Sequence, residues 1–147
     1  METERKAVIF TSIAVIASLF LFITGPLFVI QNLTFVMVQI FGALLIIWAI
    51  IAKAVNKHEH KHKLPKGYFF ITKGPYEILR HPIYAGFLLI MSSIVQYEFT
   101  PLRIVVFFIL IGMIVLKVIR EEYTMEHEIK EYSEYKAKTK RLIPFLF

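Results

Sequence analysis

Charged residues are absent over positions 7–30, a run of 24, and again over positions 33–52, a run of 20. A hydrocarbon core about 30 Å thick needs about 20 helical residues to cross it, so each run predicts a transmembrane helix. Gly25 and Pro26 fall inside the first run, where they predict a kink of the kind that lipid-embedded helices tolerate. Only Gln31 and Asn32 separate the two runs, which predicts a tight helical hairpin. A cleaved signal peptide does not fit the first run, which is too long and is followed at once by a second. Further along, positions 82–97 and 104–119 are apolar runs of 16 residues each, interrupted only by Lys117. At 1.5 Å per residue each covers roughly 24 Å, so both are expected to cross with their ends in the interface, as a second hairpin turning over 98–103.

The polar positions lie between and after these runs. Seven basic residues, four aromatics and the run His58-Glu59-His60-Lys61-His62 fall in the loop 53–81. The tail 120–147 mixes Glu and Lys with scattered apolar positions, which predicts a helix leaving the membrane along its surface, and it turns apolar again from Leu142. Basic residues number two before the first span, none between the first two, seven in the middle loop, one between the last two (Arg103), and seven from Lys117 onward. By the positive-inside rule both termini and the middle loop are cytoplasmic, in agreement with an even number of spans. The expectation is one all-α, polytopic membrane domain, 1–147, with four transmembrane helices in two hairpins and a cytoplasmic C-terminal helix. A prokaryotic inner membrane is the expected location.

Composition agrees with this pattern. Of 147 residues, 57% are hydrophobic and 19% charged, more apolar surface than a soluble domain of this size could cover. Disorder is excluded on the same ground. The absence of cysteine removes disulfides, cysteine-based metal sites and cysteine nucleophiles. A net charge of +6 could suggest nucleic acid, but placed at the ends of apolar runs it marks contact with anionic lipid headgroups instead.

Two places concentrate groups able to do chemistry. In the segment GPYEILRHPIYAG, 74–86, an Arg, a His and two Tyr stand where the third span begins. Pro82 suits the first turn of a helix, and Gly86 lets another backbone come close. These residues are equally what an interfacial anchor would use, whereas His81 and Tyr84, one turn apart, could face a cavity. At the end of the fourth span, Lys117 and Glu121 are four apart and share a helix face, with Glu122 turned roughly 100° away. That is either an ion pair at a helix exit or a site for a ligand carrying both a carboxylate and an ammonium. The run His58, His60, His62 could ligate metal only if extended, and Lys57, Lys61 and Lys63 would repel a cation, so a solvated loop without metal is expected.

Taken together, GPYEILRHPIYAG, the hydrophobic hairpin, EEYTMEHEIKEYSEY and RLIP resemble the isoprenylcysteine carboxyl methyltransferase and phospholipid methyltransferase group of integral membrane enzymes. Their pattern is Gly-Pro-Tyr, Arg-His-Pro-x-Tyr-x-Gly, a double Glu, Tyr-x-x-Tyr and a closing hydrophobic-Pro, covering about 68–144 here. The resemblance implies methyl transfer from S-adenosylmethionine, without a soluble nucleotide-binding domain, to a lipophilic acceptor dissolved in the membrane, such as an isoprenylcysteine carboxylate. It implies that Tyr76, His81, Pro82, Ile83 and Tyr84 line the cofactor pocket, that Glu121 takes the cofactor's amino group, and that Tyr68, Phe69, Phe70 and Ile71 contact the adenosine. Lys117 stands where the family often has an Arg facing the substrate, keeping the charge without the bidentate fork. Ile129-Lys130 replaces a usual Phe-Gly. Lys117 and Glu122 are the expected catalytic residues, Glu122 or His81 serving as base if the acceptor is a thiol or an amine. A sulfonium cation suits aromatic faces such as Tyr76 and Tyr84, and a carboxylate and an ammonium need opposite charges, so the residue types fit the cofactor. Two rival readings are a non-catalytic membrane scaffold or cation-handling protein, and a sterol-reductase-like membrane enzyme, for which no Gly-rich phosphate cradle is visible.

Overall fold

The computed structural model of the chain describes residues 2–25, 32–56 and 70–143. Regular structure among them is helical: α1 (Glu2–Thr24), α2 (Leu33–Val55), a 3₁₀ turn (Gly74–Glu77), α3 (Pro82–Tyr97), α4 (Pro101–Glu128) and α5 (Tyr132–Lys138). The helix starts carry readable stop and start chemistry. Asn32 caps α2 by accepting from Thr34 N, Thr100 caps α4 by accepting from Arg103 N, and Pro82 and Pro101 occupy first-turn positions where a missing N–H costs nothing. Helices α2 and α4 are long and apolar enough to cross a membrane, while the apolar parts of α1 and α3, Val8–Thr24 and Pro82–Tyr97, are shorter.

Two expectations are corrected, and one falls partly outside the described residues: α1 ends at Thr24 with Gly25 in a bend, and Pro26, the other half of the expected kink, is not among them. Helix α4 begins at Pro101 and runs without interruption to Glu128, so the expected surface helix is largely a continuation of the fourth span. The tight pairing of the first two helices is not formed either: α2 lies along α3, and α1 lies along α4.

Backbone approach explains the first of these pairings. A Cβ on Gly86 would stand 2.6 Å from the Gly42 carbonyl oxygen, and one on Gly42 would stand 2.7 Å from that of Gly86, so the two helices cross with almost nothing between them. Gly86→Val is expected to cost about 1–3 kcal/mol by overpacking. Gly112→Ala, where an added Cβ would meet nothing within 4 Å, is expected to be neutral or slightly stabilising. Thermal unfolding of the two variants in detergent checks the pair, and equal melting temperatures would contradict the close crossing.

The second pairing is fixed at both ends of the bundle. Arg103, counted from sequence as a loop residue, is 3% exposed inside the first turn of α4. Its guanidinium donates to Glu98 Oε2 and to the Ile94 carbonyl, both at 2.8 Å, and an added Cβ at Gly25 would run into it. At the other end Arg120 lies 5.1 Å from the Phe10 ring centroid. Leu21, Met91, Ile94, Leu110 and Val118 fill the centre between these ends.

Candidate functional site

The segment that leads into α3 is shaped by Gly74, whose φ of +68° is open to glycine and strained for other residues. Its N–H donates to Glu77 Oε1, closing the 3₁₀ turn, and an added Cβ would press on Ala52 and Trp48 of α2. The turn buries Pro75 and aims Leu79 into the core, which leaves Arg80 and His81 at the mouth of α3.

Residues 139–142 fasten onto this segment as a strap. Arg80 N donates to Lys140 O at 2.7 Å, His81 N to Arg141 O at 3.1 Å, and Lys140 N to Ile78 O at 3.0 Å, around the parallel bridge of Leu79 with Lys140. Side chains reinforce it. Glu122, 2% exposed, accepts from Arg80 Nε at 2.7 Å on one oxygen and from Arg141 Nε at 2.8 Å on the other. The Arg80 guanidinium also donates to the carbonyls of Lys136 and Thr139, and the Tyr135 hydroxyl donates to Tyr76 O at 2.7 Å. Two arginines sharing one buried carboxylate satisfy its charge and most of its lone pairs, which is the condition for burying a charge at all.

A cavity of about 450 Å³ opens beneath the strap, within the range of small-molecule sites. Lys53 of α2, Phe70, Ile71, Tyr76, Arg80, His81, Pro82, Ile83, Tyr84, Glu121, Met125, Tyr132 and Tyr135 line it. Two clusters stand out in its wall. In one, the Tyr84 hydroxyl donates to Glu121 Oε1 at 2.9 Å, His81 Nδ1 is 3.6 Å from Glu121 Oε2, and the His81 ring stacks on Tyr84 with centroids 5.8 Å apart. In the other, Phe70, Tyr132 and Tyr135 form an aromatic trio with centroids 5.3–5.9 Å apart. Burial pushes the Tyr132 and Tyr135 hydroxyls well above their usual range, and the Glu122 charge adds to the effect at Tyr132. Burial raises Tyr76 as well. All three phenols therefore remain neutral donors at working pH.

The adjacent glutamates differ in what they have left to offer. Glu122 accepts one guanidinium donor on each oxygen with His81 Nε2 3.5 Å from Oε1, whereas Glu121, on the cavity wall, accepts one hydrogen bond and retains more acceptor capacity for a cationic ligand group. The sequence profile of the Isoprenylcysteine carboxyl methyltransferase (ICMT) family matches residues 33–127, from the start of α2 almost to the end of α4. The chain belongs to that family. Neither the curated proteins nor the solved structures contain a match to it. The ICMT family is one of methyltransferases, so membership supports methyl transfer as the general class of reaction. Its profile stops before α5, so Tyr132 and Tyr135 on the cavity wall lie beyond the matched residues.

Most residues expected from sequence to hold a cofactor meet at this ICMT-family cavity: Phe70, Ile71, Tyr76, His81, Pro82, Ile83, Tyr84 and Glu121 all line it. Tyr68 and Phe69 lie outside the described residues, as does the run His58, His60, His62. Lys117 is not on the cavity wall; its ammonium sits 5.4 Å from the Tyr84 ring centroid, so Lys117 and Glu121 meet at Tyr84 and not in a direct ion pair. Glu122 is also off the wall: its oxygens accept from Arg80 and Arg141, and Nε2 of the wall residue His81 lies 3.5 Å from Oε1. These bonds make Glu122 a fastening residue of the strap, a role that Glu122→Gln separates from that of a base. Sequence reasoning passed over Arg80, Tyr132, Tyr135 and Arg141, although the first three stand inside the motifs Arg-His-Pro and Tyr-x-x-Tyr.

Proposed function

We propose that the chain transfers a methyl group from S-adenosylmethionine to a lipophilic acceptor that reaches the site from the bilayer. The observation that carries this reading is Glu121, an under-used carboxylate and, among the described residues, the single acidic residue lining a cavity rich in tyrosines. The residue types fit the cofactor piece by piece. Glu121 would take the ammonium, with Tyr84 and His81 holding the carboxylate group in place. Lys53 offers the cofactor's carboxylate a cation from the end of α2. The faces of Tyr76 and Tyr84 suit a sulfonium, and the aromatic trio suits a flat base.

When bound, the cofactor supplies an electrophilic methyl group. The chain's own part is positioning and exclusion of water: Tyr132 and Tyr135 of α5 close one side of the cavity, the strap holds Arg80 and His81 at another, and these walls would align donor with acceptor. Lys117, whose ammonium lies 5.4 Å from the Tyr84 ring centroid, would be a cation available to an anionic acceptor such as an isoprenylcysteine carboxylate, for which no base is needed. Large apolar side chains exposed on α1, α2 and α4, among them Ile16, Ile23, Met37, Phe41, Phe108 and Leu116, fit lipid contact, and the Lys and Arg of the middle loop and tail favour a cytoplasmic position for the cavity.

Topology is open to a direct check because the natural chain has no cysteine. In intact cells a membrane-impermeant maleimide is expected to label Phe99→Cys and to miss Arg5→Cys and Lys130→Cys until the membrane is permeabilised. Labelling of the latter two from outside would reverse the orientation. The activity is tested with methyl-tritiated S-adenosylmethionine and the protein in liposomes, offering in turn a farnesylated N-acetylcysteine, an aminophospholipid and a lipophilic thiol. Label is expected in an organic-extractable, base-labile product with the first. No transfer to any of them, by protein that binds the cofactor, would overturn the acceptor class.

A further inference from the structure

Tyr132 combines three features that, among the described residues of the site, only His81 shares, and the unpartnered Nε2 of His81 already faces Glu122 Oε1 at 3.5 Å. The Tyr132 side chain is 1% exposed, it stands on the cavity wall, and its hydroxyl is buried without a hydrogen-bond partner among the described residues. The neighbouring hydroxyls are used: Tyr84 donates to Glu121 and Tyr135 donates to the Tyr76 carbonyl. Buried polar groups are rarely left unpaired, because they have given up water without compensation, and one that is left so calls for a reason. The ring itself is held by Phe70 and Tyr135 at centroid distances of 5.8 and 5.9 Å, so the hydroxyl cannot swing far to find a partner elsewhere.

We propose that Tyr132 is a specificity-determining residue whose hydroxyl donates a hydrogen bond to the heteroaromatic base of the bound nucleoside, seated against the Phe70 and Tyr135 rings. The proposal rests on the S-adenosylmethionine reading and goes beyond it, since Tyr132 lies outside the matched residues 33–127. Flat aromatic walls bind any flat apolar group by area and dispersion. A fixed donor adds discrimination, because a base with a ring nitrogen acceptor satisfies it and a hydrocarbon ring leaves it unpaired. Burial keeps the phenol protonated, so it can act as donor across the working pH range.

The test compares Tyr132→Phe with the full-length wild type in detergent, reading dissociation constants for S-adenosylhomocysteine and 5′-methylthioadenosine and the melting temperature without ligand. Methylthioadenosine keeps the nucleoside and lacks the amino-acid group. The variant is expected to bind both ligands about five- to tenfold more weakly, as suits the loss of one hydrogen bond, with an unliganded melting temperature equal to or above wild type. Tyr135→Phe, which breaks the bond to Tyr76 O, is the structural control and is expected to lower the unliganded melting temperature. Equal affinities in Tyr132→Phe would overturn the proposal while leaving the cofactor reading intact. A loss confined to S-adenosylhomocysteine would overturn it too, by moving the hydroxyl to the amino-acid end. Absence of binding by folded wild type would overturn both.

Discussion

Glu121→Gln is expected to weaken S-adenosylhomocysteine binding roughly 10- to 150-fold while leaving thermal unfolding close to wild type. The size follows from losing a charge-assisted hydrogen bond to an ammonium group, about 1.5–3 kcal/mol. The small effect on stability follows from the position of Glu121: its side chain is 19% exposed and its contacts are one hydrogen bond from Tyr84 and the longer approach of His81. Gln keeps an oxygen for the Tyr84 hydroxyl, so the fold loses little. Tyr84→Phe is expected to cost less than Glu121→Gln, since it frees the carboxylate without removing its charge. Calorimetry on both variants checks the order. Undiminished binding in Glu121→Gln would mean that the ammonium is read elsewhere.

The second large effect is expected at the neighbouring residue and of the opposite kind. Glu122→Leu leaves Arg80 and Arg141 facing each other with no carboxylate between them, and breaking a buried ion cluster in this way costs about 3–5 kcal/mol. The melting temperature is expected to fall by about 10 °C. Arg141→Met should cost less, because its side chain is 26% exposed and Arg80 still neutralises Glu122. Lys136→Ala, which breaks an exposed pair with Glu126, should cost under about 1 kcal/mol. The series also separates the two roles considered for Glu122. A base would show a fall in kcat with cofactor affinity and stability preserved in Glu122→Gln. A fastening role predicts that stability and cofactor affinity fall together, because the strap holds Arg80 and His81, which line the cavity.

The parts of this chain that were legible in its sequence are those governed by local rules. Uncharged runs locate α2 and α3 almost to the residue, since the requirement to bury backbone groups in lipid is met within each helix. The cavity residues from Tyr76 to Tyr84 and Glu121 were reached through a motif and not through spacing alone. What stayed hidden depends on contacts between distant residues. Nothing local says that Gly42 and Gly86 face each other, so the pairing of α2 with α3 could not be read. Arg103 counts as a loop charge by position, and only the turn at Gly25 and the Ile94 carbonyl make a buried seat for it. The two adjacent glutamates look alike as a dipeptide, and the difference between them arises from Arg141, 19 residues further on. Tyr132 and Tyr135 were visible as a motif without a role, because the wall they form exists only once the strap is fastened to residues 78–81.

The central claim is that this cavity, closed on one side by α5 and read by Glu121, holds S-adenosylmethionine. Its most direct test is isothermal calorimetry of S-adenosylmethionine and S-adenosylhomocysteine against detergent-purified protein shown to be folded by its unfolding transition. The account predicts one site per chain for both ligands, weakened by Glu121→Gln and retained in Lys136→Ala. Folded protein that binds neither ligand would contradict it.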